Sequence, residues 1–420
     1  MKFLQLLFCY CLLSLKLFSQ DIKKYVVENT WPVTSIDTSS NEYNDLEAIG
    51  SAIGDARVVM LGEQDHGDAP AFLAKARLIR YLHEKKGFNV LAFESDFYGL
   101  TTGWDELSKQ PDLIREFLKR NIFSYWTRSD ACHHLFETYI PNSFETKIPL
   151  QVTGFDSQLY LEYSFEKLKN GLNLYLTGNN LTSKFTDENY KTFLNAVQGL
   201  TAYNMQPDVY KNINRKVLKE GLDLIKTEQL EKKDSSYWSL IIDNMISFIN
   251  NSNTNRDKAM ADNLKYLVNK KYKDEKIIVW SANSHIIKYT DQLKSTVKNF
   301  DQVIWKNMGT NFINDPAVTA KTYILGFTSY DGTAGRLWSN SFSVEKPNKN
   351  GLENWISKEV PYAFVDFTLY NQKFGNPEKA FLMKAPSHFT IMSKFAKVPW
   401  NLVYDGVFFV RNMYPVQLDQ

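Results

Sequence analysis

Glu63, His66, Glu94, Asp156, Asn283 and His285 are the residues of this chain whose types and settings could do chemistry together. Glu63 and His66 share the turn Gly62-Glu63-Gln64-Asp65-His66-Gly67, Glu94 opens Glu94-Ser95-Asp96, Asp156 follows Gly154-Phe155, and Asn283 and His285 flank Ser284. Carboxylates beside imidazoles are the materials of general acid–base catalysis, in which the carboxylate fixes the ring tautomer and the free nitrogen takes a proton from water. Singly, each residue has a bland explanation as a loop histidine, a helix cap or a satisfied buried histidine. Their combination weighs more, because every one of them follows a run that reads as a strand. Gly62 and Gly67 permit a sharp backbone and close ligand approach around Glu63 and His66. The same Glu63, His66, Glu94 and His285 would also suit zinc or manganese, and spacing alone leaves that alternative open.

The elements that must position these groups alternate along the chain. Apolar runs at Arg57–Leu61, Asn89–Phe93, Pro149–Gly154, Lys276–Ser281 and Thr322–Thr328 read as buried strands, with further strand-like runs at Pro361–Leu369 and Gly406–Arg411. Phe72, Ala76, Ile79 and Leu82 recur at helical spacing, and Gly87 reads as the C-terminal cap of that helix. A helix is expected over Glu42–Ile53, capped by Ser40 or Asn41. The alternation predicts an α/β fold, a largely parallel or mixed central sheet flanked by helices, in which ligands bind beyond the carboxyl ends of the strands. Between Leu159 and Asn255 the strand signal gives way to helical patterns broken at Gly178-Asn179-Asn180 and Asn250–Asn255, a helical insertion or lid, or else a layer packed on the sheet. The expected division is 21–158 and 256–420 as two parts of one core, with 159–255 between them. Lys75 sits at the edge of its helix's apolar face, either snorkelling to solvent or aimed at the Glu63/His66 turn. His83, His133, His134 and His388 have no comparable context and read as surface or core histidines.

Composition narrows the partners. With 49 Lys+Arg against 47 Asp+Glu and no basic stripe interleaved with aromatics, nucleic acid is not an expected partner. Met1-Lys2 precedes an apolar run of 13 residues, Phe3–Leu15, and a polar exit near Ser19, the shape of a secretory signal over 1–20 and too short for a stable membrane span. Its removal would take Lys2 and Lys16, leaving a neutral chain, and Cys9 and Cys11, leaving Cys132 with no disulfide partner. An exported protein, periplasmic or secreted, is therefore expected, acting on an uncharged or weakly charged ligand. The 23 Tyr and 9 Trp could line a pocket for a bulky, partly apolar ligand as well as fill the core.

Several segments resemble the erythromycin esterase family. Gly62-Glu63-Gln64-Asp65-His66-Gly67, Lys75, Gly87-Phe88 and the strand into Glu94 carry the resemblance at the start. Gly154-Phe155-Asp156-Ser157-Gln158, Arg256-Asp257 with Met260 and Asn263, Trp280–Ile286, Met308-Gly309, Gly326-Phe327 and Tyr404-Asp405-Gly406 continue it, from about residue 55 to 411. The resemblance implies a hydrolase of esters or lactones, in the best-known members the macrolide lactone, working by a histidine base with no cofactor. Carried over, His66 is the base, Glu63 and Glu94 are its carboxylates, and Lys75, His285, Asn283 and Asp156 are substrate-binding or transition-state contacts. Ala282 stands where macrolide esterases place the first histidine of the His-Asn-x-His segment, and Pro70 where an acidic residue is common. Reaction class therefore transfers better than macrolide substrate. No Gly-x-Ser-x-Gly elbow offers a serine nucleophile. Glu63 and Glu94, if close, would not both ionise readily, so one could hold a proton for the leaving alkoxide. A binding protein that kept the cleft without the chemistry is the non-enzyme alternative.

Overall fold

The computed structural model describes residues 21–232, 236–293, 306–319, 321–388 and 395–419. The signal-like stretch 1–20 lies outside the described residues. The strands are β1 Thr30–Val33, β2 Val58–Leu61, β3 Phe88–Asp96, β4 Gln151–Asp156, β5 Lys276–Trp280, β6 Thr322–Ala334, β7 Phe342–Ser343, β8 Tyr362–Asp366, β9 Phe381–Lys384, β10 Phe395–Val398 and β11 Gly406–Met413. Nine of them form one sheet in the order β1-β8-β11-β6-β2-β5-β3-β4, with β7 on β6, while β9 and β10 pair separately. From β11 through β4 every neighbouring pair is parallel, and β8 turns the sheet antiparallel at its other side. The α/β fold with a mixed, mostly parallel sheet is thus the one expected.

The apolar runs are continuous because both faces of the sheet are covered. Alternate residues divide between two cores: Val58, Met60, Val90, Ala92, Ile277 and Val279 face one side, Val59, Leu61, Leu91, Phe93, Ile278 and Trp280 the other. The helix Ala69–Lys86 packs on the second side and ends at Gly87, whose φ of 73° is the left-handed cap that glycine adopts without strain. On the first side lie the helices Glu162–Gly178, Asp187–Thr201, Arg215–Glu231, Tyr237–Asn250 and Asn253–Tyr266. Leu168, Leu172, Phe193, Leu222 and Ile242 of these helices belong to the same continuous core as Val58 and Met60.

Three local expectations are corrected. The second strand does not stop at Phe93 but runs to Asp96, so Glu94 belongs to the strand, beside an irregularity in pairing between Phe93 and Asp96. The helix expected from Glu42 begins as a 3₁₀ turn at Asn44 and becomes α-helical at Glu47, and neither Ser40 nor Asn41 caps it. Asn41 instead accepts from Arg80, while Asp45 is held by Arg77 and the Thr34 amide. The run Pro361–Leu369 is strand only to Asp366, whose side chain caps a helix, Phe367–Phe374.

Register brings the strand ends level. Leu61 pairs with Trp280, Trp280 with Phe93, and Phe93 with Gly154, so the residues just beyond them on β2, β5, β3 and β4 stand in one row. Gly154 is required there, since a Cβ would stand 2.3 Å from the Asp96 carbonyl oxygen. Gly154→Ala is expected to cost about 1–3 kcal/mol, read as a lowered denaturant midpoint, because backbone rather than a flexible side chain must move.

Candidate active site

The turn after β2 contributes a buried chain of three ionisable groups. Glu63 is fully buried, and its Oε1 lies 2.8 Å from His66 Nδ1. Its Oε2 accepts from Lys75 Nζ at 2.6 Å. Lys75 also donates to the Ser281 carbonyl at 3.2 Å and stands over the Trp280 ring at 4.1 Å. Burial pulls its pKa below the ordinary lysine value, with Glu63 opposing that shift. Trp126 Nε1 approaches Glu63 Oε1 at 3.4 Å. Trp126 also meets the His66 ring edge-on, while Tyr125 stacks on it at 6.2 Å between centroids. His66 Nε2 makes no hydrogen bond among the described residues, and the side chain keeps 20% exposure. The imidazole is therefore oriented through one nitrogen and free at the other.

A second cluster occupies the ends of β3, β4 and β5. Glu94 Oε2 accepts from Ser281 Oγ at 2.6 Å and the Ala282 amide at 2.9 Å. Its Oε1 faces Arg256 at 3.2 Å and His285 Nε2 at 3.4 Å. Arg256 holds Asp156 through two nitrogens, Nε at 3.1 Å and a terminal nitrogen at 2.5 Å. His285 Nδ1 lies 2.6 Å from Asp257 Oδ1, which also accepts the Met308 amide. Burial works against charge on His285, yet Asp257 and Glu94 together raise its pKa to about 9. Burial likewise works against Glu94, but His285, His66 and Arg256 hold its carboxyl well below the usual range. Glu94 is therefore not the carboxylate to hold a proton, and each carboxylate has its own cation, Lys75 for Glu63 and Arg256 for Glu94.

His285 carries a consequence for stability. Its folded pKa lies above the ordinary 6.5, so the contribution is complete below about pH 6.5 and is lost as pH rises through about 9. A ring titration followed by NMR is expected to show that raised midpoint, and Asp257→Asn should bring it down. An unchanged midpoint in Asp257→Asn would contradict the pairing.

The structure brings Glu63, His66 and Lys75 together, and Glu94, Asp156 and His285 together. Lys75 does not snorkel; it is wholly buried and spent on Glu63. Asn283 is also spent, for its amide exchanges two hydrogen bonds with the Phe327 backbone on β6, at 2.7 and 3.0 Å. A Cβ on Gly62 would stand 2.0 Å from Asn283 Oδ1, so the glycine admits this staple. His388, expected as a surface or core histidine, is part-buried, and its Nε2 lies 3.2 Å from Asp68 Oδ2, just after the Glu63/His66 turn. Arg256 and Asp257 were legible as a segment but not as site members, because they arrive on a helix rather than a strand end. Tyr125 and Trp126 carried no signal beyond the aromatic excess. Among the described residues no group of three His, Cys, Asp or Glu side chains is arranged to hold a metal ion. No helix among the described residues is long and apolar enough to cross a membrane.

Comparison with known proteins bears on the family and the fold. The family model described as erythromycin esterase matches residues 83–391. Glu94, Asp156, Asn283 and His285 fall within that stretch, and Glu63, His66 and Lys75 precede it. YbfO of Bacillus subtilis (strain 168) is 26% identical over 378 residues, covering 81% of this chain and 80% of the relative. An erythromycin esterase type II of Escherichia coli is 23% identical over 420 residues, covering 88% and 92%. In fold, the chain is similar to a solved erythromycin esterase mutant in its open conformation, with a TM-score of 0.56 at 16% identity over 93% of this chain and 99% of that one. With most of its length matched by the family model and the ionisable groups gathered at one sheet edge, the chain belongs to the erythromycin esterase family of hydrolases.

Proposed function

We propose that this protein cleaves a carboxylic ester or lactone by direct attack of water, with His66 as general base. The observation that carries this is the Lys75–Glu63–His66 chain, a buried ion pair that holds one imidazole nitrogen and leaves the other free. Nε2 removes a proton from water as the oxygen attacks the carbonyl carbon. Glu63 stabilises the imidazolium that forms, and Lys75 balances the Glu63 charge in a buried site. His285, protonated below about pH 9, supplies positive charge toward the developing oxyanion. Collapse of the tetrahedral intermediate expels the alkoxide, which takes the proton from His66, so the net change is addition of one water.

Macrolide lactones are the less favoured substrates within this class, because Ala282 supplies no imidazole. Incubation of the purified protein with aryl esters, alkyl esters, small lactones and macrolides, read by mass spectrometry for gain of one water, tests the proposal. Binding without turnover across the whole panel would overturn it. Export through residues 1–20 is part of the same proposal, and N-terminal sequencing of the mature protein should start near Asp21.

A further inference from the structure

The loop after β6 holds a large aromatic ring in the open beside the catalytic turn. Trp338 keeps 59% exposure, and its backbone φ of 62° is in the left-handed region, which a bulky residue occupies only at a cost. The loop is fastened to the catalytic turn at two points. Arg336 grips Asp65 through two nitrogens at 2.8 and 2.6 Å, and Gly67 packs so tightly on Gly335 that a Cβ would stand 2.3 Å from its carbonyl oxygen. From that anchorage Trp338 leans on Tyr125 at 6.4 Å between centroids, and Tyr125 in turn stacks on His66. The Arg128 guanidinium covers part of the indole at 5.5 Å. An apolar ring of this size gains nothing from water, and neither the strained backbone nor the anchored loop is needed to leave it there.

We propose that Trp338 is the stacking platform for a planar aryl group of the ester substrate, so that the enzyme prefers aryl over alkyl esters. This rests on the hydrolase reading above and names its substrate class. Arg128 and Tyr125 hold the indole in place, and its exposed part would receive a flat group whose ester carbonyl reaches His66. The step is the hydrolysis already written; Trp338 touches no reacting atom and acts on binding.

The test compares 2-naphthyl acetate with butyl acetate. Trp338→Ala is expected to raise KM for the naphthyl ester about tenfold relative to KM for the butyl ester, the size of a lost aromatic stack, with Trp338→Phe recovering most of it. Equal changes for both esters, or none, would overturn the platform. Titration of 2-naphthoate into the His66→Ala protein, followed by calorimetry, reads the platform without turnover: weaker binding after Trp338→Ala supports it, unchanged binding refutes it. If neither ester is hydrolysed by the unaltered protein, the hydrolase reading fails, while the naphthoate titration still decides the platform. Trp338→Gly should raise Tm by releasing the left-handed strain, and a fall in Tm would show the ring to be structural instead.

Discussion

His66→Ala should lower kcat on any ester the protein hydrolyses by about 10²-fold or more, the usual contribution of a positioned general base. The reason lies in the division of labour on one ring. Nδ1 is engaged by Glu63 at 2.8 Å, so only Nε2 can meet water, and the rest of the turn is held by other contacts. Gln64 reaches Ser329 and the Ala385 carbonyl, Asp65 is held by Arg336, and Asp68 accepts the Asp65 amide. Removing the imidazole thus leaves the turn supported, and the variant is expected to fold, with Tm near that of the unaltered protein. Alkaline activity should recover part of the loss, because hydroxide needs no base to deprotonate it. A variant retaining most of its activity at neutral pH would place the base elsewhere, and His388 beside Asp68 would be the next histidine to test.

How much of this was legible in sequence depends on the kind of signal. The strands that carry the site announced themselves mainly as short apolar runs, because both faces of the sheet are buried and most side chains there are apolar. Glu63, Glu94 and Asp156 could be read from their positions at the ends of those runs. What could not be read was partnership. That Glu94 binds Arg256 and His285 while Glu63 binds Lys75 and His66 follows from the spatial order β2-β5-β3-β4, in which β5, late in the chain, slips between β2 and β3. Linear order places Glu63 and Glu94 as neighbours competing for a proton; the interposed strand gives each its own cation. Asn283 misled for a similar reason, since an amide beside a site histidine resembles a substrate contact, and only the register of β6 shows it stapling backbone. Trp338 was invisible because exposure and a left-handed φ leave no mark on composition.

Glu63→Ala should be among the most destabilising single changes in the molecule, about 3–5 kcal/mol at neutral pH, because it leaves the Lys75 ammonium buried with no counter-ion. What remains to Lys75 is one carbonyl at 3.2 Å and the face of Trp280, too little to replace the solvation that burial removed. The loss should depend on pH in a definite direction. Burial already lowers the Lys75 pKa, and without Glu63 the largest contribution opposing that fall is gone, so the unfolded chain binds more protons than the folded one. Stability of the variant must then rise with pH until Lys75 is neutral in both states. Adding Lys75→Met removes the orphaned cation and fills its space with an apolar chain of similar length. The double variant is expected to regain much of the lost stability while staying inactive, since His66 would still lack the carboxylate that orients it. Urea unfolding of the two single variants and the double variant at pH 7 and pH 10 measures all of this. If Glu63→Ala and the double variant unfold at the same midpoint at pH 7, the cation is not what makes the single change costly. Recovery of stability without recovery of turnover would separate the two tasks of Glu63, neutralising Lys75 and orienting His66.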